Sequence, residues 1–280
     1  MARDHERVRE EWQAVAGGWR RWEPLFQSFT WPLALRMTAV AQIGDAQRVL
    51  DVGCGIGDPT LQVAVLVGPH GRVVGVDLVE DMLATARERA AALGLGHVEF
   101  RAGDVGSMEL PPHAFDAILG RWSLIYVADV AAVLRRLREA LVPGGHIALA
   151  AWAPPEANPW ITIPMGALAK VQPVPPPDPA QPGVFHLSAD GALAAALGQA
   201  GFRDVQQQRV QLSQFARDAA EFWGMLTDMA GPLAPVLAAL GHVAQHVDAV
   251  VRPEGVQRFR TGDVLRIPAQ AQLAWGHVAP

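Results

Sequence analysis

The stretch Val49-Leu50-Asp51-Val52-Gly53-Cys54-Gly55-Ile56-Gly57 constrains the fold of this chain more than any other. A run with the apolar character of a buried strand passes straight into a turn holding three glycines, and a helix-forming sequence follows. Glycine in such a turn lets backbone approach a ligand closely, and the helix behind it offers N–H groups without intrahelical partners. The flanking sequence repeats the unit. Short β-branched runs at 48–52, 73–76, 98–101, 115–119 and 146–150 alternate with helical patterns at 59–67, 80–93 and 129–141. That alternation is the signature of a parallel sheet wrapped by helices. The last of these helices is expected to close at Pro143-Gly144-Gly145, because proline cannot continue a helix and glycine suits its end.

Outside this span the texture changes. Trp12, Val15, Trp19 and Trp22 recur at three- and four-residue spacing, which puts them on one face of an N-terminal helix that packs onto the sheet. Residues 153–184 carry prolines too densely for a central strand or a long helix, so they read as an irregular covering segment with a short helix at 162–170. Ser188 is expected to cap a helix over 188–200, with Gly201 as its stop and a strand over 204–211. Helices at 216–229 and 233–250, parted by Gly231-Pro232, precede a last strand at 263–275 that pairs beside 204–211. Eight of the nine tryptophans lie outside 45–150, and Trp152, Trp160, Phe185, Phe222 and Trp223 extend apolar character over the covering segments. Those segments are expected to roof a water-excluding chamber for an apolar substrate.

The chemistry is read from spacing. Asp77 follows Gly57 by twenty residues and ends the second strand, where a carboxylate accepts hydrogen bonds from the two hydroxyls of a ribose. A nucleoside-containing cofactor is implied. The glycines run Gly-x-Gly-x-Gly, and position 58, where a nicotinamide fingerprint needs a third glycine, is Asp. Asp51 beneath the loop repels a pyrophosphate and tolerates a cation, and Asp104 at the end of the third strand is placed to accept from an adenine amino group. Three carboxylates at three successive strand ends suit a sulfonium nucleoside better than a diphosphate.

Composition narrows the partners. Half of the 280 residues are hydrophobic, 18% are charged and the formal net charge is −5, which argues against a phosphate backbone as main partner. Cys54 is the single cysteine, so no intramolecular disulfide forms, a reducing compartment is expected, and the thiol reads as a small packing residue. Asp4, Glu6, Glu10 and Glu11 near the start, with no apolar targeting run and no stretch long enough to span a bilayer, lead to the expectation of a cytoplasmic protein. His242 and His246 come nearest to a metal-ligand spacing but have no third ligand in reach, so no metal site is expected.

These residues resemble the class I S-adenosylmethionine-dependent methyltransferases. The likeness is close over 46–152, and Ala200-Gly201-Phe202-Arg203-Asp204-Val205 is similar to the junction before the sixth strand of that family. Arg121-Trp122, the Asp129-led helix ending at Leu141-Val142-Pro143-Gly144-Gly145, Trp152 and Asn158-Pro159-Trp160 resemble the subgroup of ubiquinone and menaquinone biosynthesis methyltransferases. The resemblance implies an α/β fold: a Rossmann-like doubly wound sheet of seven strands, the last antiparallel, with helical and irregular lids. It divides the chain into an N-terminal helical lid (1–45), a cofactor-binding core (46–152), a Pro-rich lid (153–187) and a C-terminal part of the core (188–280) with a helical insertion at 214–258.

It further implies that Asp51, Gly53, Gly55 and Gly57 border the cofactor's methionine and ribose, that Asp77 holds the ribose, and that Leu78 and Met82 flank the adenine. Asp104 and Val105 would meet the adenine amino edge, and Gly120 with Arg121 would end the fourth strand beside the transferable methyl. Many amine methylators of this fold carry an Asn/Asp-Pro-Pro-Tyr type motif where Arg121 stands, so base or amide N-methylation is not expected. Arg121, which would orient an anionic substrate group or pair with Asp116 or Asp129, and His186 as general base are the catalytic candidates. Trp19, Trp22, Trp122, Trp160 and Trp223 are the substrate-binding candidates. The expected function is S-adenosylmethionine-dependent methyl transfer to oxygen or carbon of a hydrophobic small molecule, a quinone-like precursor or secondary metabolite, by a monomer or homodimer. The competing expectation is a cyclase or lyase that uses the bound sulfonium without methyl transfer.

Overall fold

Runs that are apolar at consecutive positions form strands covered on both faces, and here they build the centre of one sheet. The computed structural model describes residues 2–169, 178–231 and 256–280. The strands are β1 (Arg48–Val52), β2 (Arg72–Asp77), β3 (Val98–Ala102), β4 (Phe115–Arg121), β5 (Leu141–Trp152), β6 (Arg203–Ala216), β7 (Arg260–Thr261) and β8 (Val264–His277). The helices are α1 (Ala2–Gln13), α2 (Ala16–Val40), α3 (Thr60–Val67), α4 (Glu80–Ala92), α5 (Val130–Ala140), α6 (Pro159–Ala169), α7 (Ala192–Gln199) and α8 (Ala219–Met229).

The sheet runs β3-β2-β1-β4-β5-β8-β6, with the short β7 paired to β8. β1 to β5 pair in parallel, and β8 lies antiparallel between β5 and β6. The seven expected strands are all present. The eighth, β7, is a two-residue hairpin partner that turns on Gly262 and is too short to leave a period in the sequence. Leu50, Ile118, Leu119 and Ile147 in the central strands are wholly buried. Asp129 caps α5 by accepting from Ala132 N–H at 2.8 Å, and Asp218 caps α8 by accepting from Glu221 N–H at 2.9 Å.

Three local expectations are corrected. Pro143-Gly144-Gly145 does not end a helix but lies in a bulge of β5: Phe115 pairs with Leu141, yet Ala117 pairs with His146. A Cβ on Gly145 would stand 2.9 Å from the Val142 carbonyl, so the bulge needs glycine there. Ser188 caps nothing; it is buried, its carbonyl accepts from Gln272 Nε2, and α7 starts after Gly191. The N-terminal aromatic stripe is split over α1 and α2, which break between Gln13 and Ala16. The helix expected at 233–250, with His242 and His246, and most of the proline run at 173–179 fall outside the described residues. Among the described residues no helix is long and apolar enough to cross a membrane.

Candidate active site

In the strand order β1 is flanked by β2 and β4, and connections leave it in both directions, which opens a crevice at the carboxyl ends of the strands. A cavity of about 440 Å³ occupies that crevice. One wall comes from the strand ends: Gly53, Cys54, Gly55 and Ile56 after β1, Asp77, Leu78, Val79 and Met82 after β2, Gly103, Asp104 and Val105 after β3, and Arg121, Trp122 and Ser123 after β4. The other wall is apolar and comes from α1, α2, the end of β5, α6, the 184–185 loop, β6 and α8. Both walls belong to one continuous cavity.

The glycine loop is held by the carboxylate expected to serve the ligand. Asp77 Oδ2 accepts from Gly55 N–H at 2.8 Å and Oδ1 accepts from Val79 N–H at 3.0 Å. Burial pushes the Asp77 carboxyl up, while these backbone bonds favour its ionised form. Each carboxylate oxygen has more than one lone pair, so Asp77 retains capacity for ligand hydroxyls. Gly53 has φ +68°, and a Cβ on it would stand 2.3 Å from the Ser123 Cβ; Gly55 has φ +53°, and a Cβ on it would come no nearer to another described residue than 3.8 Å, at Met82 Sδ. The first glycine lets β1 and β4 ends meet, and the second leaves open space. A nucleoside cradle of this shape fits an adenosyl group, with Asp104 beside it accepting from Gly106 N–H at 2.8 Å and Ser107 Oγ at 3.0 Å.

Of the residues expected here, Gly53, Gly55, Asp77, Leu78, Met82, Asp104, Val105, Arg121, Trp19, Trp122 and Trp160 line the cavity. Six others lie outside that lining. Asp51 is fully buried behind the loop, where Thr60 Oγ1 donates to its Oδ2 at 2.6 Å and burial raises its pKa to about 7. Gly57 packs the turn against Leu61 and Ala86, and Gly120 lies in β4 where a Cβ would meet Leu149 at 2.8 Å. Trp22 Nε1 donates to Asp228 Oδ2 at 2.8 Å, clasping α2 to α8, and Trp223 packs partly buried against the core. His186 lies outside the lining, with Nδ1 3.1 Å from the Ile125 carbonyl and its pKa lowered by burial.

Arg121 is reassigned. Neither Asp116, which pairs with Arg48, nor Asp129, the α5 cap, reaches it. Its Nη2 donates to the backbone carbonyl of Asp58 at 2.5 Å and to Asp58 Oδ2 at 3.1 Å, and both side chains are buried. Its guanidinium sits 5.4 Å from the Phe26 ring centre and 5.3 Å from that of Trp122. Asp58 thus balances the arginine's charge inside the apolar wall.

That wall is a chain of ring contacts. Trp12 meets Tyr126 edge-on at 5.3 Å and Trp19 at 5.8 Å, and Trp19 meets Phe26 at 4.5 Å. Trp122 stacks on Trp152 at 4.1 Å with their planes 10° apart, and Trp152 meets Trp160 at 4.8 Å. Asn158 fixes Trp160: its Oδ1 accepts from Trp160 Nε1 at 3.0 Å and from Gln270 N–H at 3.0 Å. Sequence reasoning missed Phe26, Phe29, Asp58, Tyr126 and Gln214 as cavity residues. A continuation of the Trp12–Trp22 spacing along α2 would have signalled Phe26 and Phe29. No sequence signal pairs Asp58 with Arg121. Among the described residues no group of three His, Cys, Asp or Glu side chains is placed to hold a metal ion.

A family model described as a methyltransferase domain matches residues 43–167. Nocamycin O-methyltransferase of Saccharothrix syringae is 33% identical over 202 residues, covering 69% of this chain and 72% of that protein. A demethylmenaquinone methyltransferase of Bacillus cytotoxicus is 35% identical over 108 residues, 39% of this chain and 46% of that protein, so the chain spans about half of that relative's length. The fold also matches Haemonchus contortus phosphoethanolamine N-methyltransferase 2, crystallised with phosphomonomethylethanolamine and S-adenosylhomocysteine, at TM-score 0.62 and 19% identity, covering 98% of this chain and 60% of that one. With a glycine loop and an acidic second strand end lining one cavity, and with these likenesses, the chain belongs to the class I S-adenosylmethionine-dependent methyltransferases.

Proposed function

We propose that this protein transfers a methyl group to an oxygen or carbon of a hydrophobic, ring-bearing small molecule, such as a quinone-like precursor or secondary metabolite, in the cytoplasm and as a monomer or homodimer. The observation that carries this reading is the single cavity joining Asp77 and the glycine loop to a wall of tryptophan and phenylalanine. Bound S-adenosylmethionine supplies a methyl group already activated by a positively charged sulfur leaving group. The protein's task is then alignment and exclusion of water.

Asp77 takes the ribose hydroxyls, Gly53 and Gly55 admit the methionine portion, Leu78 and Met82 flank the adenine, and Asp104 with Val105 meets its amino edge. Asp51, Gly57 and Gly120 support this wall from behind. The Asp58 carboxylate offsets the Arg121 charge, so the arginine shapes the chamber without repelling a sulfonium. Trp19, Trp122 and Trp160, joined by Trp12, Trp152, Phe26 and Phe29, hold the acceptor and keep water out. With His186 outside the lining, the acceptor is a group that loses its proton readily, as a phenol or enol does. The names of the two relatives, an O-methyltransferase of nocamycin and a methyltransferase of demethylmenaquinone, support a small apolar acceptor.

Incubation with S-adenosylmethionine and a panel of hydroxylated naphthalenes and quinols, read by mass spectrometry, tests this. Methylated product formed one-to-one with S-adenosylhomocysteine is the expected result. Acceptor turnover without S-adenosylhomocysteine would establish the cyclase or lyase reading in its place.

A further inference from the structure

Along β6 the side chains that face the protein interior are Val210, Leu212, Gln214 and Ala216, each under a tenth exposed, while Gln211 and Phe215 point to solvent. An alternating strand with one buried face calls for an apolar residue at every second position, and glutamine breaks that rule at one place. It breaks it where β6 lines the cavity, beneath α2 and α8.

The protein does not satisfy this amide. Among the described residues Gln214 Oε1 is buried and has no hydrogen-bond partner, and Nε2 has only a weak contact to the Met225 sulfur at 3.7 Å. Three buried amides on neighbouring elements are satisfied, two of them on the opposite face of β8. Gln272 receives a bond from Gln207 and donates to the Ser188 carbonyl; Gln270 Oε1 accepts from Arg209 Nη1 at 3.0 Å; Asn158 bonds through both ends of its amide. None of these three lines the cavity. Among the described residues Gln62 Oε1 is likewise buried without a partner, but Gln62 Nε2 donates to Asp58 Oδ1 and Gln62 lies outside the cavity lining; Gln214 is the buried amide with an unpaired oxygen that faces the ligand space. Desolvating a polar group without pairing it costs stability, and such costs persist where a ligand repays them.

We propose that Gln214 is the specificity-determining anchor of the acceptor chamber, its amide oxygen accepting a hydrogen bond from a hydroxyl on an otherwise apolar aromatic substrate. This rests on the acceptor-chamber reading of the proposed function. Gln214 sets which ring system is held and in what orientation, and Met225 beside it, with Phe26 and Phe29 of the same cavity lining, supplies the apolar contact area.

The test compares 1-naphthol with 1-methylnaphthalene, a probe of similar size that lacks the hydroxyl, by equilibrium dialysis against wild type and Gln214→Leu in the presence of S-adenosylhomocysteine. Gln214→Leu is expected to weaken 1-naphthol about tenfold, to leave 1-methylnaphthalene unchanged or bound more tightly, and to keep or raise the thermal midpoint. Equal losses for both probes, no loss for 1-naphthol, or a lower thermal midpoint would each overturn the proposal by making Gln214 a structural residue. If wild type binds 1-methylnaphthalene but not 1-naphthol, the anchor fails and the chamber stands. If wild type binds neither probe, chamber and anchor fail together, and calorimetry with S-adenosylhomocysteine shows whether the cofactor wall stands without them.

Discussion

The two walls of the cavity are built in different ways. The strand-end wall is assembled from short contiguous stretches, each directly following a parallel strand, and its contacts are largely backbone: Gly55 and Val79 N–H groups on Asp77, Gly106 N–H on Asp104. The aromatic wall is collected from elements as far apart as Trp12 and Ala230, and its contacts are side-chain faces and edges. Backbone geometry tolerates few substitutions, because a Cβ or a lost carboxylate changes the frame itself. A packed apolar wall tolerates changes of shape, provided volume is kept. One wall therefore serves a constant ligand, and the other suits a ligand that differs between relatives.

The sharpest way to break this contrast is Gly55→Val. At φ +53° and facing open cavity, valine adds both backbone strain and a side chain in the ligand's space, so S-adenosylmethionine binding by calorimetry is expected to fall more than about a hundredfold. Normal binding would remove the loop from the site. Next comes Asp77→Ala, which strips the acceptors from Gly55, Val79 and the ligand together. About ten- to a hundredfold weaker cofactor binding is expected, with Asp77→Asn in between; unchanged affinity would contradict the ribose role.

Trp160→Ala probes the other wall. It is expected to lower kcat/KM for an aromatic acceptor about tenfold while the cofactor dissociation constant stays within about twofold. Equal losses for both ligands would show the walls to be one coupled unit. The smallest functional effect belongs to Asp51→Asn, because Asp51 lies behind the loop. Burial raises its pKa from 3.8 to about 7, so the native state keeps this proton to higher pH than the unfolded chain does. The stabilisation from that raised value is complete below the unfolded pKa and is lost as pH rises through about 7. Denaturant titrations should therefore show wild type losing stability relative to Asp51→Asn across that range, with cofactor affinity little changed. A difference independent of pH would mean that Asp51 is ionised throughout.

The strand-end wall was legible because its signals are local. Gly53, Gly55, Asp77 and Asp104 sit at fixed steps after apolar runs, and each step maps onto a strand end in register with its neighbour. Where local signals compete, the reading failed. Proline and glycine at 143–145 suit a helix end and a strand bulge equally well, and pairing of Leu141 with Phe115 decided for the strand. Ser188 has the chemistry of a cap, but a glutamine from β8 claimed its carbonyl. Trp22 and Trp223 carry the same apolar bulk as Trp19 and Trp160, and nothing local says which ring meets the cavity and which clasps a helix or fills the core.

The sequence by itself determined the parallel sheet, the place of its carboxyl edge and the kind of cofactor that edge accepts, because strand periodicity and the glycine turn are properties of neighbouring residues. Only the tertiary structure decided that Asp58 neutralises Arg121 across 63 positions, that Gln214 Oε1 is left without a partner among the described residues, and which tryptophans roof the cavity. Those outcomes depend on how distant elements pack, and hydrophobicity, which drives the packing, has no direction that a linear pattern records.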